Sequence, residues 1–141
     1  MSTLITTPYA ITTTVDDDFD TTVGHVRDEL AKEGFGVLTE IDVQATLERK
    51  LGVHGEPYVI LGACNPPLAH RGLSIEPDLG VLLPCNVIVR QDGDTVHVAA
   101  MEPDAAMRLA ANPALAPLAV EARERLERAL THLTHGDNDD D

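Results

Sequence analysis

Residues 57–66 read Pro-Tyr-Val-Ile-Leu-Gly-Ala-Cys-Asn-Pro and are the stretch that decides the fold. The apolar run inside it is nearly continuous, which is typical of a central strand with both faces covered. The run stops at Cys64. Asn65 is a good N-cap and the following proline suits a first helical turn, so a brief helix is expected over residues 66–74.

Upstream of this stretch, the pattern predicts two strands and two helices. β-Branched residues predict a strand over residues 8–15, and the aspartates that follow can cap a helix over residues 19–33. Apolar and polar residues then alternate over residues 35–43, which is the period of a half-buried strand. A short helix is expected over residues 44–51.

Downstream, the clearest local signal is a hairpin. Two β-branched runs, 87–90 and 95–101, flank a central Asp-Gly pair that suits a tight turn. A short helix near 104–110 follows. The last helix is expected over residues 115–133, with one apolar and one charged face. No internal repeat or linker divides the chain, so we expect one α+β domain over residues 1–136.

The charge balance limits the partners that the domain can have. The chain has 141 residues with 10 basic and 24 acidic side chains, a formal net charge of −14. Such a surface repels phosphate, which argues against nucleic acids and anionic membranes as partners. Four aspartates lie in residues 137–141, which we expect to form a disordered acidic tail.

The N-terminal residues and the two cysteines indicate in which cellular compartment the protein is expected. The first ten residues lack the basic and apolar segments of a signal peptide, and no window has the length of apolar residues that a membrane span needs. We therefore expect a cytoplasmic protein, in which Cys64 and Cys85 are reduced thiols.

The two cysteines are also the residues most suggestive of chemistry. Cys64 is expected at a strand end facing a helix N-terminus, where the helix dipole favours thiolate, and His70 follows on that helix. Cys85 opens the strand before the hairpin and, like Cys64, precedes an asparagine. A soft metal could be held if His70 or another histidine joined both thiolates. The alternative is that both cysteines are apolar packing residues.

Other catalytic signatures are missing from the sequence. There is no phosphate-binding glycine loop of the P-loop type, no dinucleotide fingerprint and no Ser-His-Asp order better than chance. Acidic residues are so numerous that a general acid or base cannot be chosen among them. The catalytic residues of any reaction are therefore unknown.

Three separated motifs resemble those of the bacterial and archaeal family called domain of unknown function 302. They are residues 34–43 (Gly-Phe-Gly-Val-Leu-Thr-Glu-Ile-Asp-Val), residues 61–66 with Ala69 and His70, and residues 82–87 (Leu-Leu-Pro-Cys-Asn-Val). The resemblance implies a curved, mainly antiparallel sheet of about four to five strands backed by helices, with a long C-terminal helix. This arrangement is similar to that of TATA-binding protein. The family also implies a homodimer and no established reaction.

These observations lead to one expected function and two alternatives. We expect a homodimeric binding or sensing module rather than an enzyme, with a site for a soft metal, a haem-like cofactor or a small ligand. Its binding residues would be Cys64, Asn65, His70 and Cys85, and a metal would use the two thiols and His70. The alternatives are a thiol-dependent redox protein, in which Cys64 attacks and Cys85 resolves, and a purely structural interaction domain.

Overall fold

The computed structural model describes the backbone of residues 4–139 and the side chains up to Leu133. It contains an antiparallel sheet with helices, and so confirms the α+β class. The strands are β1 (Ile5–Thr6), β2 (Ala10–Val15), β3 (Gly36–Asp42), β4 (Tyr58–Cys64), β5 (Cys85–Asp92) and β6 (Thr95–Met101). The helices are α1 (Phe19–Lys32), α2 (Val43–Leu51), α3 (Pro66–Ile75), α4 (Pro103–Leu109) and α5 (Ala116–Asp139), with 3₁₀ turns at Pro77–Leu82 and Pro113–Leu115.

The sheet has six strands in the order β1-β2-β6-β5-β4-β3, and every neighbouring pair is antiparallel. The expectation of four to five strands was therefore wrong by the edge strand β1. That strand has only two residues, which is too short to show any periodicity in the sequence. It forms because Thr7 accepts and donates hydrogen bonds across a turn that folds residues 5–6 back onto β2.

The last helix is longer than the predicted span, since α5 runs from Ala116 to Asp139. The tail predicted over residues 137–141 overlaps the end of this helix, and residues 140–141 lie outside the described residues. Disorder of the tail therefore stays a prediction. No helix in the described part of the chain is long and apolar enough to cross a membrane.

One face of the sheet packs against α1 and α5 to form the hydrophobic core. Alternate residues of the central strands point into it, because successive side chains in a strand face opposite sides. The core residues are Ile11, Val59, Leu61, Ala63, Val87, Val89, Val96, Val98 and Ala100 from the sheet, Phe35 just before β3, and Val26, Leu30, Leu126, Ala129, Leu130 and Leu133 from α1 and α5. These side chains are aliphatic apart from Phe35.

The opposite face of the sheet is less covered than the sequence indicated. The apolar run of β4 predicts burial on both sides, yet Tyr58 and Ile60 on the second face are only half-buried. The two edges of the sheet are also irregular. On one side β1 is two residues long, and on the other the register of β3 shifts between Val37 and Thr39, as in a β-bulge.

Gly62 in β4 is required by close packing on this second face. A Cβ atom added to it would fall on Thr39 Oγ1 and 2.9 Å from Pro84 Cγ. The proline ring has few ways to move aside. Gly62 therefore leaves room for the Thr39 side chain and for the ring of Pro84, which directly precedes β5.

We expect Gly62→Ala to lower the free energy of unfolding by about 1–3 kcal/mol, because the added methyl group overlaps its neighbours. The matched control is Gly24→Ala in α1, where an added Cβ meets nothing within 4 Å. There the better helix former should raise stability by up to about 1 kcal/mol. Urea unfolding of both variants measures the difference, and equal stabilities would contradict the close packing at Gly62.

Candidate functional site

An apolar cavity of about 60 Å³ lies where the end of β4 meets the start of β5. Helices α3, α4 and α5 close it from the core side of the sheet. Its lining residues are Phe35, Ala63, Cys64, Asn65, Leu68, Ala69, Gly72, Leu79, Leu83, Pro84, Cys85, Pro103, Met107, Leu118, Ala119 and Ala122. No charged side chain lines it, so the thiols are its distinctive chemical groups.

The pairing of β4 with β5 brings the two cysteines to this cavity. Ala63 is directly opposite Cys85 in the antiparallel register, and Cys64 is the next residue along β4. Cys64 is half-buried and Cys85 is buried, and both are free cysteines. Two thiols separated by twenty residues in the sequence therefore line one small space.

The cavity strongly affects the acidity of Cys85. Burial, with a further contribution from the nearby Cys64, raises the pKa of the Cys85 thiol to about 11. At neutral pH Cys85 is therefore an uncharged S–H group. This protonation suits an apolar ligand and makes Cys85 a poor nucleophile.

His70 does not join the cysteines. It lies on an exposed position of α3, outside the residues that line the cavity. Within the described chain, no group of three or more His, Cys, Asp or Glu side chains could hold a metal ion. The metal site of Cys64, His70 and Cys85 stays a prediction that this arrangement does not support, because α3 carries the imidazole to the surface.

Asn65 lines the cavity, but its polar atoms already have protein partners. Its Oδ1 accepts from the Leu68 amide at 3.2 Å and so caps α3, while its Nδ2 donates to the Glu33 carbonyl at 3.4 Å. Arg125 Nη1 donates to the same carbonyl at 2.9 Å. We refer to these contacts as the Glu33 carbonyl junction. It ties the end of α1 to the start of α3 and to α5.

The sequence indicated the two cysteines, but it did not predict which residues form the wall of the cavity opposite them. That wall comes from Met107 on α4 and from Leu118, Ala119 and Ala122 on α5. The apolar face of the last helix was visible as a periodic pattern. Nothing in the pattern indicated that one part of this face would leave a space instead of packing fully against the sheet.

We expect the two thiols to react at different rates with iodoacetamide at pH 8. A thiol with a pKa of about 11 is ionised in only about one molecule in a thousand at that pH, and only the thiolate attacks. Cys64 should therefore be alkylated at least about tenfold faster than Cys85 in the native protein. Mass spectrometry of the two cysteine peptides over time gives both rates.

Labelling in concentrated urea is the control, because unfolding removes the burial that distinguishes the two thiols. There the rates should become similar. Native labelling of Cys85 as fast as Cys64 would contradict the apolar surroundings described for Cys85.

We expect Asn65→Ala to cost about 1–3 kcal/mol of stability, since it removes the cap of α3 and one donor to the Glu33 carbonyl. Asn86→Ala on the exposed face of β5 is the matched control and should stay within about 0.5 kcal/mol of the parent. Thermal unfolding of both variants tests this. Similar costs for the two would show that the junction contributes little.

Comparison with known proteins gives the family but no activity. Residues 11–133 match the family model described as "Domain of unknown function DUF302". The crystal structure of an uncharacterised conserved DUF302 protein from Bacillus stearothermophilus is similar, with a TM-score of 0.83 and 31% sequence identity over 88% of this chain and 97% of that chain. A search of curated proteins found no match. The family match over most of the chain, together with the shared fold, establishes that this chain belongs to the DUF302 family.

Proposed function

We propose that this domain is a binding module for a small, uncharged, apolar molecule, which occupies the cavity beside Cys64 and Cys85. One observation carries the proposal: two free thiols from neighbouring strands line an apolar cavity that has no charged side chain in its wall. A space of this kind is a default candidate for a ligand site.

The size and the lining of the cavity restrict the ligand. Pockets for drug-sized ligands measure about 300–1,000 Å³, whereas this cavity measures about 60 Å³. A ligand of a few heavy atoms fits, but a haem-like cofactor would require the walls to separate. Because the polar atoms of Asn65 are engaged in the Glu33 carbonyl junction, recognition would depend on shape and on contacts with sulfur and carbon atoms.

The thiols add a specific chemical preference. Sulfur is polarisable and makes favourable contacts with apolar and aromatic groups. The raised pKa of Cys85 keeps that thiol neutral, so a neutral molecule entering the cavity meets no buried charge. Cys64 is half-buried at the end of β4 and would be the more accessible of the two thiols to a ligand.

A thiol redox role is the second candidate, and the adjacency of the two cysteines supports it. Such a protein would need a peroxide-type oxidant to convert the Cys64 thiolate to a sulfenic acid, which the Cys85 thiolate would then attack to form the disulfide with loss of water. The raised pKa of Cys85 would slow that second step at neutral pH. For this reason binding is preferred over redox catalysis.

Xenon is a suitable probe, because it is apolar and small enough for a cavity of this volume. We expect saturable xenon-induced shifts of the amide resonances of Cys85 and Ala119 in two-dimensional NMR spectra. Ala122→Leu should fill the cavity from α5 and weaken xenon binding by at least about tenfold.

The matched control is Ala31→Leu on an exposed position of α1, which should leave xenon binding unchanged. Thermal unfolding would show that both variants are folded. Shifts that do not saturate, or that persist unchanged in Ala122→Leu, would contradict the proposed site.

A further inference from the structure

A groove of about 440 Å³ lies between helix α2 and the sheet. Val43 and Leu47 of α2 form one wall, Tyr58 and Arg90 of the sheet form the other, and Glu56 lies in the loop between them. Its volume is within the range of about 300–1,000 Å³ that is usual for small-molecule pockets. Tyr58 begins β4, whereas the apolar cavity lies at the end of that strand, about 20 Å away along it.

The loop that closes the groove is held at both ends. Helix α2 ends at Gly52, which has a φ of 70°. Gln44 Nε2 then donates a hydrogen bond to the Gly55 carbonyl at 2.8 Å, and the Gln91 amide donates to the Pro57 carbonyl at 2.9 Å. The groove therefore has its shape without a ligand, which lowers the entropic cost of binding one.

The apolar part of the groove is open to solvent. Leu47 is 41% exposed and Val53 is 48% exposed. No residue of α2 is buried, although burial of an apolar side is what normally stabilises such a helix. A ligand with an aliphatic group would cover both side chains and remove apolar area from water.

Arg90 supplies positive charge to the groove. Its side chain is 34% exposed, and its charged partner within the described chain is Asp92, with Nη1 3.7 Å from Oδ2. That separation is longer than a hydrogen bond. The planar guanidinium has five N–H donors and matches the geometry of a carboxylate. Tyr58 is directly opposite Arg90 in the strand register, so its hydroxyl group lies on the same face.

Glu56 supplies negative charge from the loop. The Gly93 amide donates to its two carboxylate oxygens at 3.2 and 3.4 Å and so orients the carboxylate from the hairpin turn. A carboxylate can accept about four hydrogen bonds, which leaves it able to accept from a ligand. Among the residues that the structure describes, Arg90 and Glu56 are the charged residues that line the groove.

We propose that this groove binds a free α-amino acid with an aliphatic side chain. Arg90 would bind the carboxylate, Glu56 the ammonium group, and Leu47 and Val53 would contact the side chain. The proposal is independent of the ligand proposed for the cavity, because the two sites share no residue.

Charge complementarity favours a zwitterion over a singly charged ligand. A molecule with a carboxylate alone would meet Glu56 and the negative field of a chain with a formal charge of −14. A molecule with an ammonium group alone would meet Arg90. An amino acid satisfies both residues and adds no net charge.

An NMR titration of the full chain with L-leucine tests the proposal. We expect saturable shifts of the Leu47, Glu56 and Arg90 amide resonances, with a dissociation constant of about 1 mM or lower. Two analogues serve as matched probes. 4-Methylpentanoate lacks the ammonium group of leucine and 3-methylbutylamine lacks its carboxylate. Each should bind at least about threefold more weakly, because exposed ion pairs contribute modestly.

Arg90→Gln should raise the dissociation constant for leucine at least about fivefold, since it removes the charged, forked donor. Glu56→Gln should weaken the binding of leucine but not that of 4-methylpentanoate. The control is Arg71→Gln on α3, a 53% exposed arginine that pairs with Glu121 at 3.1 Å, outside the groove. It should leave leucine binding unchanged.

Circular dichroism would verify that the three variants are folded. Three results would each overturn the proposal: no saturable shift with leucine up to about 20 mM, analogues that bind as tightly as leucine, or an Arg90→Gln variant that binds leucine like the parent. None of these results depends on whether xenon occupies the cavity.

Discussion

The register between β4 and β5, which sets Ala63 opposite Cys85, is the constraint on which the rest of the structure depends. A shift by one residue would turn every side chain of one strand to the other face of the sheet. The observed register sends Val87 and Val89 into the core and leaves Ile88 half-buried on the opposite face of the sheet. It also brings the two thiols to one cavity, so the core and the cavity both follow from the same pairing.

The sequence predicts local elements of this fold well and their long-range consequences less well. The hairpin of β5 and β6, the strand β4 and the cap at Asn65 each have signals within a few residues, and all of them are present in the structure. The strand β1 has no such signal, because two residues are too few to show the alternation of apolar and polar side chains that marks a strand. The sequence also could not predict that His70 is exposed. A shift of one residue along α3 decides whether an imidazole points to the cavity or to solvent.

In the candidate site, too, the sequence predicts the local features but not those that depend on long-range packing. The neighbouring motifs around Cys64 and Cys85 indicated that the thiols merit attention, but the raised pKa of Cys85 depends on helices that are distant in the chain. Asn65 illustrates how a polar residue beside a cavity can have a structural role. Its amide closes the Glu33 carbonyl junction, so the wall that it forms is held by α1 and α5 as well as by its own helix.

The irregular edges of the sheet determine how far association could proceed. Unpaired edge strands can add further chains through their backbone groups and so grow into open-ended aggregates. Here one edge ends in the two-residue β1 and the other carries the register shift between Val37 and Thr39, next to the acidic Glu40 and Asp42. Both edges are poor templates for another strand. The sheet is therefore protected at both ends from open-ended growth by strand addition.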